Sequence, residues 1–251
     1  MSIRPVELYS EGGLSEVQRG VTDWYLYKIK RPVFTQIKDT SQIKVDDVEI
    51  EWTIANQESA SRAIGISETV VMEDFVKNVD EGKVFWDVGA NQGIYSMLAA
   101  EQDLDVHAFE PGEKARSILR ENEALNDVDV NVHSFALSDE DGEKTLAKTG
   151  NTGTRSLVSD GEQDGDTVQI KRGESVDAPT PDVMKIDVEG HELKVLDGLG
   201  ECLDACQLCY VEVHDDAELD EVETILINHD FDDINHLPDP NTIVKGVTPS
   251  T

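Results

Sequence analysis

Beyond residue 65, short apolar runs of strand length recur between stretches whose apolar residues fall three and four apart. Residues 84–88, 106–109, 128–135, 183–188 and 208–213 read as strands. Residues 93–100, 113–125, 191–199 and 219–228 read as helices, and Ser67-Glu68 opens an earlier amphipathic one. That earlier helix carries Val70, Val71, Phe75, Val76 and Val79 on one face and ends at Gly82. Strand and helix in alternation imply an α/β fold of Rossmann type, a mostly parallel sheet with helices on both faces. Residues 231–236 and 242–245 flank Leu237-Pro238-Asp239-Pro240-Asn241. This predicts a C-terminal antiparallel hairpin at or near the sheet edge.

Two regions keep a different rhythm. In residues 1–65, the segments 24–29 and 48–54 alternate apolar and polar positions, which predicts a β-rich extension or flap ahead of a main domain over 66–251. In residues 139–177 glycines at 142, 150, 153, 161, 165 and 173 punctuate two weak strands, 144–147 and 167–171. This reads as an inserted hairpin or lid between the third and fourth strands. Arg155 in that insertion is a rare cation among acids and a candidate for binding an acceptor carboxylate or phosphate; a salt bridge to nearby acids is the plainer alternative.

The run from Phe85 to Gly93 reads as a buried strand, a glycine-bearing turn and a helix start. Such a turn lets backbone N–H groups approach a cofactor closely. Glu110 ends the next strand, about 20 residues on, where an acid can hydrogen-bond a ribose diol. The turn has Asp87 before its first glycine, Ala90 and Asn91 where further glycine would suit a pyrophosphate, and no basic residue. An acid there repels a pyrophosphate and suits a cationic ligand. S-adenosylmethionine, with its ammonium, sulfonium and ribose, fits better than a nicotinamide dinucleotide.

Composition narrows the partners. There are 53 acidic against 21 basic residues, a formal charge of −32, spread along the chain without an acidic tail. That argues against nucleic-acid binding and against an anionic membrane surface. Distributed acid around strong apolar strands predicts a folded protein adapted to high cytoplasmic salt, as in halophilic archaea, with an ordinary acidic protein as the alternative. No apolar run reaches about 20 residues and no signal peptide is evident, so a cytoplasmic protein without membrane insertion is expected. A homo-oligomer is compatible with the sequence. Cys202, Cys206 and Cys209 are odd in number and straddle a loop-to-strand transition, so buried thiols are expected in place of disulfides or a metal site.

Several motifs then occur in one order: D-V-G-A-N-x-G at 87–93, F-E-P at 109–111, A-L-S-D at 136–139, K-I-D-V-E-G-H-E at 185–192, and V-E-V-H at 211–214. Together they resemble the FkbM family of S-adenosylmethionine-dependent methyltransferases over roughly residues 66–215. The resemblance implies a seven-stranded class I methyltransferase sheet and methyl transfer to oxygen, often a sugar or polyketide hydroxyl. It implies that Asp87, Gly89, Ala90, Asn91 and Gly93 line the methionine end of the cofactor. Glu110 and Pro111 would stand at the ribose, and Ala136, Leu137 and Ser138 at the adenine. A glycan or glycolipid precursor is the expected acceptor, at a hydroxyl or a carboxyl.

Ligands of open α/β sheets sit beyond the carboxyl ends of the strands. Asp187, Glu189 and His191 leave the fourth strand there, and Glu212 and His214 leave the fifth. Asp187 and Glu189 are expected near the reacting oxygen, Asp187 also near the cofactor amine, with His214 as the base. His191 and Glu212 are candidates for holding the acceptor. The same oxygen-rich cluster could hold Mg²⁺; a metal-free base is preferred. A nicotinamide-dependent oxidoreductase would need a pyrophosphate turn. A non-catalytic methyltransferase-fold subunit would tolerate degenerate cofactor residues, which are intact here.

Overall fold

The computed structural model describes residues 22, 25–37, 39–148, 155–158, 165–238 and 242–249. The described residues divide into two compact units, those up to Ile43 with Glu51–Thr69, and Lys44–Ile50 with those from Val70 onward.

In the first unit a π-helical turn, Leu26–Lys30, runs into α1 (Arg31–Ile37). The strand expected at 24–29 is therefore helical where described, and Trp24 lies outside the described residues. The contact that wins is local: the Arg31 guanidinium stands over the Tyr27 ring at 5.1 Å, a four-residue spacing that only a helix brings together. Strands β1 (Thr40–Val45) and β2 (Val48–Thr53) pair as a two-stranded sheet. In α2 (Gln57–Ala63), Asn56 and Ser59 form a reciprocal capping box. Among its described residues, the region expected to be β-rich thus holds one strand pair among helical elements.

Next, α3 (Thr69–Asn78) leads into β3 (Val84–Val88), α4 (Ile94–Ala100), β4 (Asp105–Phe109), α5 (Glu113–Asn126) and β5 (Asn131–His133). After β5 come β6 (Ala136–Leu137), β7 (Gly142–Lys148), β8 (Arg155–Val158) and β9 (Gly165–Lys171). The chain continues through β10 (Val183–Ile186), α6 (Glu192–Leu199), α7 (Glu201–Ala205), β11 (Leu208–Val213), α8 (Leu219–Asn228), β12 (Asp233–Pro238) and β13 (Thr242–Val247). Among the described residues no helix is long and apolar enough to cross a membrane.

Seven strands form the main sheet in the order β12-β13-β11-β10-β3-β4-β5. Neighbours from β11 to β5 are parallel, and β13 is antiparallel to both β11 and β12. The expected closing hairpin is present, with its antiparallel strand one place in from the edge. Asp182 fixes the lower ends of the central strands: it accepts from Val84 N–H at 2.9 Å and from Lys83 and Gln207 at 3.2 Å each.

One face of this sheet carries an aromatic cluster. Phe75 of α3 packs on Phe85, Tyr95 and Tyr210 with ring centroids 5.0, 5.4 and 5.9 Å away. The other face buries Trp86, Val88, Ile186 and Val211 beneath Leu196 of α6 and Val222 of α8. In the amphipathic helix α3, Val71, Phe75 and Val76 are buried as expected, while Val70 is exposed.

The inserted region is larger than a hairpin. Strands β6-β9-β7-β8 make a second, four-stranded sheet, of which β6 and β8 were not expected from sequence. Asp141 anchors its exit by accepting from Arg172 N–H and Ser175 Oγ, both at 2.8 Å.

Candidate active site

The turn after β3 is built for close approach. Gly89, Asn91 and Gly93 take φ of 84°, 50° and 83°, so the chain leaves the strand through three left-handed residues within five. A Cβ on Gly89 would lie 1.8 Å from the Asp187 carbonyl oxygen, and one on Gly93 2.7 Å from Leu119. The glycines therefore let the turn lie directly against the end of β10 and against α5.

Asp87 faces inward from this turn. Its Oδ2 accepts from Ser96 N–H at 3.0 Å and from Ser96 Oγ at 2.5 Å. Burial raises its carboxyl to about 6, opposed by the Ser96 hydrogen bonds and the nearby Lys185 charge. Ser96, which sequence reasoning passed over, is the group that makes a carboxylate tolerable here.

Glu110 ties two loops together. Its Oε2 accepts from Asn91 N–H at 2.9 Å and its Oε1 from Gly112 N–H at 2.6 Å, while Arg116 donates to its carbonyl at 2.8 Å. Burial raises this carboxyl to about 7 against the pull of those two N–H groups. Each oxygen keeps a second lone pair, and Glu110 and Pro111 are partly exposed beyond the end of β4. A carboxylate held in place with spare acceptor capacity fits a ribose diol, so the residues present suit S-adenosylmethionine.

Beside this turn lies a dense ionic cluster. Lys185 is in register with Asp87 on one side and Tyr210 on the other, so these side chains share a face of the sheet. Two residues further along their strands stand Asp187 and Glu212, and two beyond Glu212 comes His214. Lys185, 2% exposed, donates to Asp187 Oδ2 at 3.1 Å and to Glu212 Oε2 at 3.4 Å. Its ammonium also sits 4.9 Å from the Tyr95 ring. His214 Nδ1 is 2.7 Å from Glu192 Oε1, and its Nε2 is 3.1 Å from Glu189 Oε2, 3.7 Å from Glu212 Oε1 and 3.8 Å from Asp187 Oδ1. Glu192 is fully buried and also accepts from Gly190 N–H at 3.0 Å. Burial alone would lower His214, but hydrogen bonds to Glu189 and Glu192 and the surrounding carboxylate charge raise it to about 11. Glu189 and Gly190 both take positive φ, 55° and 89°, so the loop that presents the Glu189 carboxylate is held in a sparsely populated conformation.

His191 is not part of this cluster. It is 8% exposed, its Nε2 lies 3.0 Å from Ser138 Oγ, and burial lowers it to about 4. Its partner Ser138 is itself fully buried. Ala136 and Leu137 are buried in β6, where they pair with β9. Arg155 begins β8, and its side chain lies outside the described residues. The three cysteines are buried free thiols, with Cys206 Sγ donating to the Leu208 carbonyl at 3.2 Å. Sequence reasoning missed Lys185 and Glu192. Their signals were present: Lys185 shares strand parity with Asp187, and Glu192 sits in the first turn of α6, facing back toward the strand ends.

The strand order, the glycine turn and the acid ending the next strand define a class I methyltransferase. Comparison with known proteins agrees. The methyltransferase FkbM domain matches residues 87–234, and the chain belongs to that family; it is an S-adenosylmethionine-dependent methyltransferase. It is 28% identical over 214 residues to the hexuronic acid methyltransferase AglP of Haloferax volcanii, covering 81% of this chain and 84% of that protein. The structure of an FkbM methyltransferase from Methylobacillus flagellatus KT superposes with a TM-score of 0.51 at 12% identity, over 90% of this chain and 60% of that one, and shares its fold.

Proposed function

We propose that this protein transfers a methyl group to an oxygen of a uronic-acid-containing glycan. The observation that carries the proposal is the joining of the glycine turn and the ionic cluster, through contact of Gly89 with the Asp187 backbone. The methyl donor and an acceptor oxygen can then meet at one place, beyond the ends of β3, β10 and β11. The likeness to a hexuronic acid methyltransferase supports the acceptor class. Residues 66–251 form the catalytic domain in this reading, with 139–177 as an insertion and 1–65 as an extension.

Bound S-adenosylmethionine supplies the methyl group: the acceptor oxygen forms the C–O bond as the C–S bond breaks, and sulfur keeps the electron pair. Glu110 would hold the ribose and the 89–93 turn the methionine end, and Asp187, whose backbone meets Gly89, would lie between cofactor and acceptor. Where the acceptor is a hydroxyl, the Glu189 carboxylate takes its proton; where it is a carboxylate, no base is needed and a methyl ester forms.

The test is methyl transfer in multimolar KCl to a uronic-acid-bearing oligosaccharide, beside a neutral one of the same length. Methylation of the acidic glycan alone is expected, and alkali lability of the product separates ester from ether. Equal methylation of both, or of neither by protein that binds S-adenosylhomocysteine, would overturn the acceptor assignment.

A further inference from the structure

Asp187, Glu212 and His214 each turn one donor atom toward a common point, and these atoms all lie within 4.8 Å of one another. We infer that they form a divalent-cation site, with Lys185 and Glu192 as positioning residues and an anionic acceptor as the group the ion receives. The role in acceptor binding rests on the proposed function; the binding itself does not.

The first support is the way the donors are set. Lys185 engages Oδ2 of Asp187 and Oε2 of Glu212. The opposite oxygens, Oδ1 and Oε1, are the ones that approach His214 Nε2, at 3.8 and 3.7 Å. One buried ammonium thus orients both carboxylates toward the imidazole. Donors about 2.1 Å from one ion lie roughly 3–3.5 Å apart, so each carboxylate oxygen closes on Nε2 by a few tenths of an ångström.

The second support comes from a side chain outside those three, Glu192 of α6. Glu192 holds Nδ1 of His214 at 2.7 Å, which directs Nε2 to the common point. A carboxylate on the far ring nitrogen is the usual partner of a metal-bound histidine, fixing its tautomer and raising its basicity. Glu192 is fully buried, and its Oε2 has no hydrogen-bond partner among the described residues. A buried carboxylate kept in that state is costly unless its charge is answered nearby.

A divalent cation held by these donors would offer an oxygen of an anionic acceptor a place to bind. Two carboxylates and one imidazole suit Mn²⁺ or Mg²⁺ better than a thiolate-seeking metal.

The experiment uses Mn²⁺ with the metal-stripped full chain in concentrated KCl, read by electron paramagnetic resonance. One tightly held ion per chain is expected, with nitrogen modulation in the spin echo from the imidazole. His214→Ala and Asp187→Asn should abolish that class of ion, and Glu192→Gln should weaken it by about 10–100-fold. An ion without nitrogen modulation, or one that persists unchanged in His214→Ala, would assign Mn²⁺ to the acidic surface and overturn the site. Calorimetric titration with S-adenosylhomocysteine, run on the same samples, reports folding of each variant. It also tests the methyltransferase reading separately: loss of that binding in the wild-type chain would fault the reading, whatever Mn²⁺ does.

Discussion

Ser96 turns both its backbone N–H and its hydroxyl onto a single oxygen of Asp87, at 3.0 and 2.5 Å, inside a region where Asp87 is 3% exposed. The first turn of α4 thereby answers an acid that β3 places under the cofactor turn. Ser96→Ala removes one of these donors and should cost about 1–3 kcal/mol. A thermal or denaturant melt checks this; a change within error would show that the hydroxyl contributes nothing.

Asp87 also sets a pH dependence. Its folded value of about 6 lies above the ordinary 3.8, so the folded chain binds this proton more tightly than the unfolded chain. The contribution is fully present below about 3.8 and is lost as pH rises through about 6, a difference on the order of 3 kcal/mol. Asp87→Asn should flatten that part of the stability curve relative to the wild type. Parallel curves for the two proteins between pH 4 and 6 would refute the assignment.

Gly89→Ala should be far worse than an ordinary glycine substitution. The left-handed backbone alone costs about 1–2 kcal/mol with a side chain, and the new methyl would collide with the Asp187 carbonyl. Loss of S-adenosylhomocysteine binding with a lowered melting temperature is the expected pair of results. Retention of wild-type affinity would mean that the turn moves away from β10 freely.

Glu110→Gln replaces an acceptor-only group with one that presents N–H donors to Asn91 or Gly112 N–H. Affinity for S-adenosylhomocysteine should fall by about 10–100-fold, the range for losing a hydrogen bond to a charged group. Calorimetry reads this directly, and an unchanged affinity would remove Glu110 from the cofactor site.

The charge of −32 predicts a salt requirement. Screening of like charges shortens from about 10 Å at 0.1 M salt to about 3 Å at 1 M, so the melting temperature should climb steeply with KCl. A midpoint that stays flat between those salt levels would make this an ordinary acidic protein.

The sequence made the main sheet legible because its strands are buried on both faces and stand out as apolar runs; β3 and α8 have the expected bounds. What escaped was decided by contacts distant in sequence or by competition between periods. Residues 24–29 alternate like a strand, yet the Tyr27–Arg31 contact made the described part helical. The third expected strand, 128–135, shrinks to β5 because the chain turns after His133 and begins β6, which pairs with β9 more than thirty residues later. Asp187, Glu189, Glu212 and His214 were legible as a group from their places at strand ends. The contact of His214 with Glu192, which arrives from α6, was not legible, nor was that of His191 with Ser138, 53 residues away.

Strand β13 lies between β11 and β12, although the ribosome makes it after both. While β13 is still being synthesised, the outer edge of β11 has nothing to pair with, and that strand is buried along its whole length in the finished sheet. A nascent chain stopped at β12 would therefore display a long apolar edge, the kind that recruits other chains. Assembly of the catalytic sheet is in this way gated by translation of one late six-residue segment, and early termination should yield aggregates or degradation in place of a smaller working enzyme.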